Sequence, residues 1–538
     1  DQTVVNRGGG NTSVKRRVVD FRGREVDVLT VKGTGYDLRT ITGRGFADVV
    51  MEDILPLRAH NAMTDEAMVE YLSHCMIDPT APRPSIETLL HGFLPAKHID
   101  HTHADISGAI ATSVRGEEIA RRLFGKEMVW VPYIRPGFTM AKMTVDALDA
   151  NPAARFVVLQ KHGLITWADD ARECYRRNVE FLDRGAAFVA DEAKGKRVFG
   201  GLKVGPATET ARARLAAAVM PALRGELSRN QRVVLHFDNA PDILEFVSSA
   251  EGQSLAEAGL ACPDHVLYTK VKPMWASAGA EAGAEGIVAA VRRDLAAYVE
   301  AYGRFFEANK ESWDTPAEPL PKIVLTPGLG MITAGKDKRA ATITADFYHR
   351  AIAIMRGATG IDRFLSLTAK EAYDIEYWPL ELYKLTLLPP EKELSRRVAF
   401  ITGGAGALGR AIAERFVQEG CHVALADINH EGAAAIAEDL VARYGQGMAA
   451  AVHADVTSEA SIRAALAATV RTYGGLDVLV CNAGVASSHS IEDTTLEEWQ
   501  RTMDVLSTGY FLTAREGVKL MRQQRTPDGR PLGGSVIF

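Results

Sequence analysis

Over roughly the first 195 residues, short β-branched runs alternate with stretches of helical period. "REVDVLTVKG" (24–33) and "ARFVVLQKHG" (154–163) are strand-length, whereas "TDEAMVEYLSHCMI" (64–77) and "ARECYRRNVEFLDRGAAFVADEAKG" (171–195) repeat apolar residues three and four apart. This alternation predicts an α/β layer, taken as a domain over 1–199. Residues 200–388 follow the pattern less regularly. "RVVLHF" and "KIVLTPGLGMITAGK" read as strands entering loops, and "GIVAAVRRDLAAYVEAYGRFFEANK" as a long amphipathic helix. This segment reads as an α/β extension to which the sequence assigns no role. "WASAGAEAGAEG" is a small-residue loop, and "LLPPEKELSRR", with paired prolines and charges, marks a linker over 389–396. Residues 397–538 then open with strand "VAFIT", a glycine loop, helix "RAIAERFVQEG" and strand "HVALADI". That succession begins a doubly wound parallel sheet.

A chain of 538 residues exceeds what one hydrophobic core organises, in keeping with this division. The balance of 47% hydrophobic and 24% charged residues, with net charge −6, shows no basic excess for nucleic acid and no polybasic tract for a membrane surface. Five cysteines are scattered without CxxC pairs, which fits a reducing compartment. No segment reaches the roughly 20 apolar residues of a membrane span, and no signal peptide opens the chain, so a cytoplasmic protein is expected. The chain begins at Asp1 and ends in "GGSVIF", which reads as a buried strand; the last domain is expected to be cut short.

The candidate chemistry starts at "HIDHTHADIS" (98–107). Residues i and i+2 of a strand share a face, so His101 and His103 can aim two imidazoles at one ion, although a solvated strand face shows the same pattern. "VVLQKHGLITW" offers His162 as a third ligand at the end of an apolar strand, and three neutral imidazoles leave zinc one position open to substrate. His74, His91 and His98 read as surface or packing residues, and Asp105 as a residue that orients His103. "NRGGGNTSVK" (6–15) and "VKGTGYDL" (31–38) are glycine loops, suited to letting backbone N–H groups approach a phosphate, or simply turns. "RPSIETLLHG" (83–92) places a serine two residues before Glu87.

In this order the stretches resemble the class II aldolase and adducin family. The resemblance implies that Asn11, Ser13, Thr34, Gly35 and Ser85 surround a substrate phosphate, that Glu87 transfers a proton, and that His101, His103 and His162 bind zinc. It also implies a tyrosine from a neighbouring subunit that handles the proton of the aldehyde oxygen, for which Tyr133 in "VPYIRPGF" is a candidate, and a site built at subunit contacts of a homo-oligomer. The chemistry is coherent. Breaking a carbon–carbon bond beside a ketone leaves charge on an enediolate, which a divalent cation stabilises without a lysine Schiff base.

"ITGGAGALGRAIAERF" fits TGxxx[G/A]xG between a strand and a helix, with Thr402, Gly403, Ala407 and Gly409. The glycines let a pyrophosphate approach a helix N-terminus, the Rossmann arrangement. Asp427 ends the next strand, 24 residues after Gly403; an acid there binds the ribose hydroxyls and repels a 2′-phosphate, so NAD is expected. "HADVTS" supplies Asp455 near the adenine, and "DVLVCNAGVA" supplies Asn482, Ala483 and Gly484. The set resembles the short-chain dehydrogenase/reductase family. Two departures stand out: Leu506 or Ser507 occupies the place of the family's helical asparagine, and the catalytic serine and Tyr-x-x-x-Lys are not found. Tyr268 with Lys272 matches that spacing but precedes the nucleotide fold by more than a hundred residues, and reads as coincidence.

The two resemblances together, with "CPDHVLYTKVKP" and "IEYWPLELYKL" between them, are similar to a bacterial fusion family joining a rhamnulose-1-phosphate aldolase to an alcohol dehydrogenase. That implies zinc-dependent cleavage of a ketose 1-phosphate such as L-rhamnulose 1-phosphate to dihydroxyacetone phosphate and L-lactaldehyde. An NAD-dependent oxidoreductase for a small aldehyde or alcohol would accompany it. A sugar-phosphate 4-epimerase of the same fold, a non-catalytic adducin-like assembly module, and a dehydrogenase on an inert platform are the alternatives.

Overall fold

The computed structural model describes residues 3–387 and 389–538. Asp1 and Leu388, outer bounds of two predicted segments, lie outside the described residues. The apolar runs of the first segment pair into a seven-stranded sheet. Its strands are β1 (Asn11–Val19), β2 (Glu25–Lys32), β3 (Phe46–Val50), β4 (His98–Thr102), β5 (Met128–Val131), β6 (Phe156–Leu159) and β7 (Gly163–Ala168), in the order β3-β2-β1-β4-β7-β6-β5. Two registers matter for function. Antiparallel pairing sets Asn11 opposite His101 and Thr102 opposite Leu164, so the first glycine loop, the HxH strand and the His162 turn meet at one end of the sheet. The turn is tight enough to hold Lys161 at φ 58, a region that costs a side-chain-bearing residue energy and tends to occur at functional sites. The helix Ala171–Glu192, capped by the Asp170 side chain accepting from Glu173 N–H at 3.0 Å, covers this sheet.

The second segment forms a four-stranded sheet of β8 (Val234–Asp238), β9 (Met274–Trp275), β10 (Ile323–Thr326) and β11 (Gly330–Gly335), ordered β8-β11-β10-β9. "KIVLTPGLGMITAGK" is thus a hairpin, turned by Gly328 and Gly330 at positive φ. The expected long helix spans Gly283–Asn309. A second one, Lys338–Ile361, lies against the short helix Asp105–Ala111 that follows β4. The approach is close: a Cβ on Gly357 would stand 2.6 Å from that of Ala109. The helix that follows β4 and the second segment are therefore in direct packing contact.

The third sheet is wholly parallel: β12 (Val398–Thr402), β13 (His422–Asp427), β14 (Ala449–His453), β15 (Val478–Val480) and β16 (Ser535–Ile537), ordered β14-β13-β12-β15-β16. The order reverses between β12 and β15, the switch point of a doubly wound fold, where ligands bind. "GGSVIF", expected as a buried strand, is an edge strand here, with Ile537 45% exposed. The fold is therefore mixed α/β with a doubly wound parallel sheet last, and no helix among the described residues is long and apolar enough to cross a membrane.

The third sheet does not hang from a loose linker. One apolar core runs from Leu215, Leu223 and Leu235 of the second segment into Phe400, Ile462, Val470 and Leu479 of the third. Through it, helix Glu209–Leu227 packs on helix Glu459–Tyr473. The fully buried Arg224 guanidinium donates to both carboxylate oxygens of Asp477, at 3.2 and 2.6 Å, and to Gln524 Oε1 at 2.7 Å. A bidentate buried pair of this kind fixes orientation as well as contributing energy.

Candidate active sites

Strand alternation delivers His101 and His103 to one face, and the β6–β7 turn brings in His162. The three ring centroids lie 4.6, 5.0 and 4.8 Å apart, and all three rings are buried. His103 Nε2 stands 2.7 Å from His101 Nε2, and Glu87 Oε1 is 3.5 Å from His101 Nε2 and 3.7 Å from His162 Nε2. Glycine makes the cluster possible. A Cβ on Gly163 would lie 2.7 Å from Thr102 O, 2.8 Å from His103 Cδ2 and 2.9 Å from His101 Cε1.

Burial pushes His162 down to about 3 and His101 well below the usual imidazole range, so both are neutral, the form that ligates a metal. His103 behaves differently. Burial pushes it down too, but Asp264 and the Cys262 thiol outweigh that and raise it, with Asp264 Oδ2 accepting from His103 Nδ1–H at 2.7 Å. A carboxylate behind a histidine is the usual support of a ligating imidazole. Glu87 Oε1 and His162 Nδ1 are buried without a hydrogen-bond partner. Three imidazoles around an unpartnered carboxylate oxygen suit a divalent cation such as zinc.

Glu87 is aimed by a chain of side chains. Its Oε2 accepts from Asn11 Nδ2 at 2.6 Å, and the same amide donates to Ser85 Oγ at 3.1 Å. Asn11 Oδ1 meets His91 Nε2, and His91 Nδ1 meets Ser13 Oγ at 2.7 Å. The polarity follows from the donors. Glu87 Oε2 accepts, so Asn11 presents its NH₂ to it and keeps Oδ1 as an acceptor; His91 therefore donates through Nε2–H, and Ser13 donates to Nδ1. Burial holds His91 down at about 4, in the neutral form this chain needs.

A cavity opens above Glu87, His103 and His162. The first segment contributes Gly8, Gly9, Gly10, Asn11, Thr34, Gly35, Ser85, Lys32 and Arg83 to it. Of the expected phosphate residues, Asn11, Thr34, Gly35 and Ser85 line this cavity. Ser13 does not; it is turned to His91, because its place on β1 faces the helix that carries His91 rather than the opening. Burial and Lys384 push the Lys32 ammonium down to about 8.

The second segment adds another part of the wall: Asp264 from the "CPDH" stretch, and Trp378, Leu380, Glu381 and Lys384 from in and beside the helix Pro379–Thr386. A Cβ on Gly9 would stand 2.6 Å from Asp264 Oδ2, so the glycine loop and the second segment close on each other at the site. The segment without an assigned role thus completes the cavity.

Other expectations change. Asp105 does not orient His103: its carboxylate pairs with Arg350 Nη1 at 2.6 Å, because the helix it begins turns toward Lys338–Ile361, and Asp264 takes the supporting place instead. Tyr133 lies outside the cavity lining, in an apolar cluster with Leu260 and Trp378. Its hydroxyl is buried without a partner, and burial drives its pKa up. His91 is a link in the Glu87 chain, whereas His98 is half-buried and His74 exposed. Tyr268 stacks on Phe347 at 4.3 Å, a packing role. Some of this was readable. Glu87 and His91 are one helical turn apart, as are Glu381 and Lys384. Asp264 had no local signal beyond its crowding with Cys262 and His265.

The second site sits at the β12–β15 switch point. Gly403 adopts φ 67, and a Cβ on Gly409 would stand 2.2 Å from Gly403 O, so only glycine lets helix Ala407–Gln418 start this close to the loop. The Asp427 carboxylate accepts from Ala405 N–H and Asn429 N–H, both at 2.9 Å, and lines an open cavity with Gly403, Asp455, Ala483 and Gly484. Ala407 and Gly409 form the first helical turn beside it. Thr402 and Asn482 are not in the lining. Thr402 Oγ1 accepts from Asn482 N–H and Ala483 N–H, and Asn482 Nδ2 donates to Thr402 O at 2.9 Å, so they fasten β12 to the end of β15. Leu506 and Ser507 fall in a π-helical turn, Asp504–Thr508, a widened turn common at functional sites.

Residues 1–187 match the class II aldolase and adducin N-terminal domain, 214–385 the second domain of class II aldolase, and 397–530 the short chain dehydrogenase family. The chain is 44% identical over its whole length to the uncharacterized oxidoreductase YuxG of Bacillus subtilis, covering 77% of it. Over 125 residues the chain is 38% identical to sorbitol-6-phosphate 2-dehydrogenase of Escherichia coli, covering 23% of this chain and 48% of that protein. Among solved structures, the N-terminal class II aldolase domain of a conserved protein from Thermoplasma acidophilum is 41% identical, covering 35% of this chain and 87% of that one, with a TM-score of 0.33. With both aldolase parts and the dehydrogenase matched in sequence, and YuxG matched from end to end of this chain, the protein belongs to the family in which a class II aldolase is fused to a short-chain dehydrogenase.

Proposed function

We propose that the first site cleaves a ketose 1-phosphate, L-rhamnulose 1-phosphate, into dihydroxyacetone phosphate and L-lactaldehyde, with zinc held by His101, His103 and His162. The observation that carries this is the unpartnered Glu87 oxygen facing two ligand-type nitrogens at the floor of a cavity rimmed by Lys32, Arg83 and Lys384. A bound divalent cation supplies charge stabilisation for the two oxygens beside the bond that breaks. The chain's own residues supply the rest. Lys32, Arg83 and the N–H groups of the glycine loops hold the phosphate. Asn11, fixed by His91 and Ser13, keeps Glu87 Oε2 occupied, leaving Oε1 to carry a proton to or from the substrate carbon. Asp264 keeps the His103 ring oriented.

The third domain, on this reading, binds NAD at Gly403 and Asp427 and oxidises or reduces a small aldehyde or alcohol. Metal analysis together with a product assay on a panel of ketose 1-phosphates tests the first site. Zinc near one equivalent and free dihydroxyacetone phosphate are expected. A changed sugar configuration without free triose phosphate would make the site a 4-epimerase instead, and zinc lost on dialysis with no turnover would end the enzymatic reading. The Glu87→Gln variant is expected to keep its zinc and lose cleavage by about 10³-fold or more.

A further inference from the structure

Cleavage requires two proton transfers, and Glu87 accounts for the one at carbon. The other takes the hydroxyl proton from the carbon that leaves as an aldehyde. Within one chain Tyr133 is outside the cavity, and its hydroxyl is buried in an apolar cluster. Glu381 is inside it, on the helix Pro379–Thr386 of the second segment. That helix is pinned to the first segment where Trp378 Nε1 donates to Asp65 Oδ2 at 2.7 Å. Glu381 is 6% exposed, its Oε1 accepts from Lys384 Nζ at 2.7 Å, and its Oε2 is buried with no partner. A buried carboxylate oxygen left unpaired costs free energy unless something in the cavity completes it.

We propose that Glu381 is the catalytic acid–base on the aldehyde side of the reaction, contributed by the second aldolase domain. This rests on the retro-aldol reading of the site. In cleavage, the Glu381 carboxylate accepts the hydroxyl proton, and the O–H electrons become the second bond of the aldehyde carbonyl. The carbon–carbon bond breaks and its electron pair stays with the phosphate-bearing fragment, whose carbon then receives a proton from Glu87. Glu381 returns its proton to water and Glu87 regains one, so no acid is consumed. Burial, with the negative charges of Asp264 and Glu87, raises the Glu381 carboxyl, and Lys384 opposes that rise; a carboxyl pulled both ways can serve first as base and then as acid.

The test separates the two protons. Dihydroxyacetone phosphate alone, incubated with the full chain in deuterated water, exchanges its carbon-bound proton through Glu87 without any aldehyde present. For Glu381→Gln, cleavage of L-rhamnulose 1-phosphate is expected to fall at least about 100-fold, while this exchange, read by proton NMR, stays within about threefold of the parent and zinc content is unchanged. Exchange lost together with cleavage would overturn the assignment, as would cleavage retained. If the glutamine variant does not fold, Glu381→Asp serves: reduced cleavage with full exchange supports the role, and any other pattern overturns it. A parent protein that neither cleaves nor exchanges would instead refute the retro-aldol reading, so the two failures are distinct.

Discussion

The candidate metal pocket and the candidate nucleotide pocket are built by opposite strategies. The first gathers residues from Gly8 to Lys384, drawn from strand ends and loops of the first segment and from the second segment, into a buried cluster whose members hold one another in place. The second takes its phosphate loop and its acid from one strand–loop–helix–strand unit, Val398 to Asp427, and stays open to solvent. A dry convergent site makes each charge count, because weak screening strengthens every interaction and penalises every orphan. An open local site relies on backbone geometry and tolerates its surroundings.

Loosening the nucleotide domain at a point remote from the metal cluster tests how far the two regions are coupled. Arg224→Ala leaves the fully buried Asp477 with Arg232, at 3.1 Å, as its remaining cationic partner beside the Val398 N–H at 2.8 Å. Removing one member of a buried ion pair costs ~3–5 kcal/mol, and the surviving Arg232 contact places this variant near the lower end. Urea unfolding followed separately by zinc release and by nucleotide binding is expected to show the nucleotide domain melting earlier. Because helix Glu209–Leu227 shares its core with the third sheet, the metal site should follow at lower urea than in the parent. An unchanged zinc-release midpoint would show that the two regions are energetically separate.

A smaller change tests whether the metal cluster depends on packing as closely as the geometry indicates. In Gly163→Ala the new Cβ meets a backbone carbonyl and two ligand rings at 2.7–2.9 Å, too close for any ordinary contact. Displacing a supported ligand costs metal affinity on the order of 10–100-fold, which competition with a zinc chelator would measure. Parent-like affinity would mean the rings reach their ion from another arrangement.

These two pockets also explain what a reader of the sequence can and cannot see. The TGxxx[G/A]xG loop and Asp427 were legible because their partners are neighbours in sequence, and His101 with His103 because strand alternation alone sets their face. Glu87 emerged only through family resemblance. Asp264, Glu381 and Lys384 stayed hidden because nothing near them in the chain announces a site; a helix packed across Lys338–Ile361 and a tryptophan pinned to Asp65 bring them there. Asp105 was misread for the same reason, since its sequence neighbour His103 is not its spatial partner; Arg350 is. Thr402 and Asn482 carried the right motif, yet in this structure their polar groups are spent on joining two strands.

The mildest perturbation belongs to the open site. Asp427 does two things: it receives two backbone N–H groups that shape the loop, and it presents its carboxylate to the cavity. Asp427→Ala removes the repulsion toward a 2′-phosphate, and a hydrogen-bonding carboxylate of this kind is worth about 1.5–3 kcal/mol, part of which the exposed setting returns. The NAD to NADP affinity ratio is therefore expected to fall about tenfold, read by titrating the two nucleotides against intrinsic fluorescence, with zinc content untouched. A ratio that stays constant while both affinities drop would assign Asp427 to loop shape alone. The nucleotide pocket would then resemble the metal pocket after all, with its acid serving mainly to hold other groups in place.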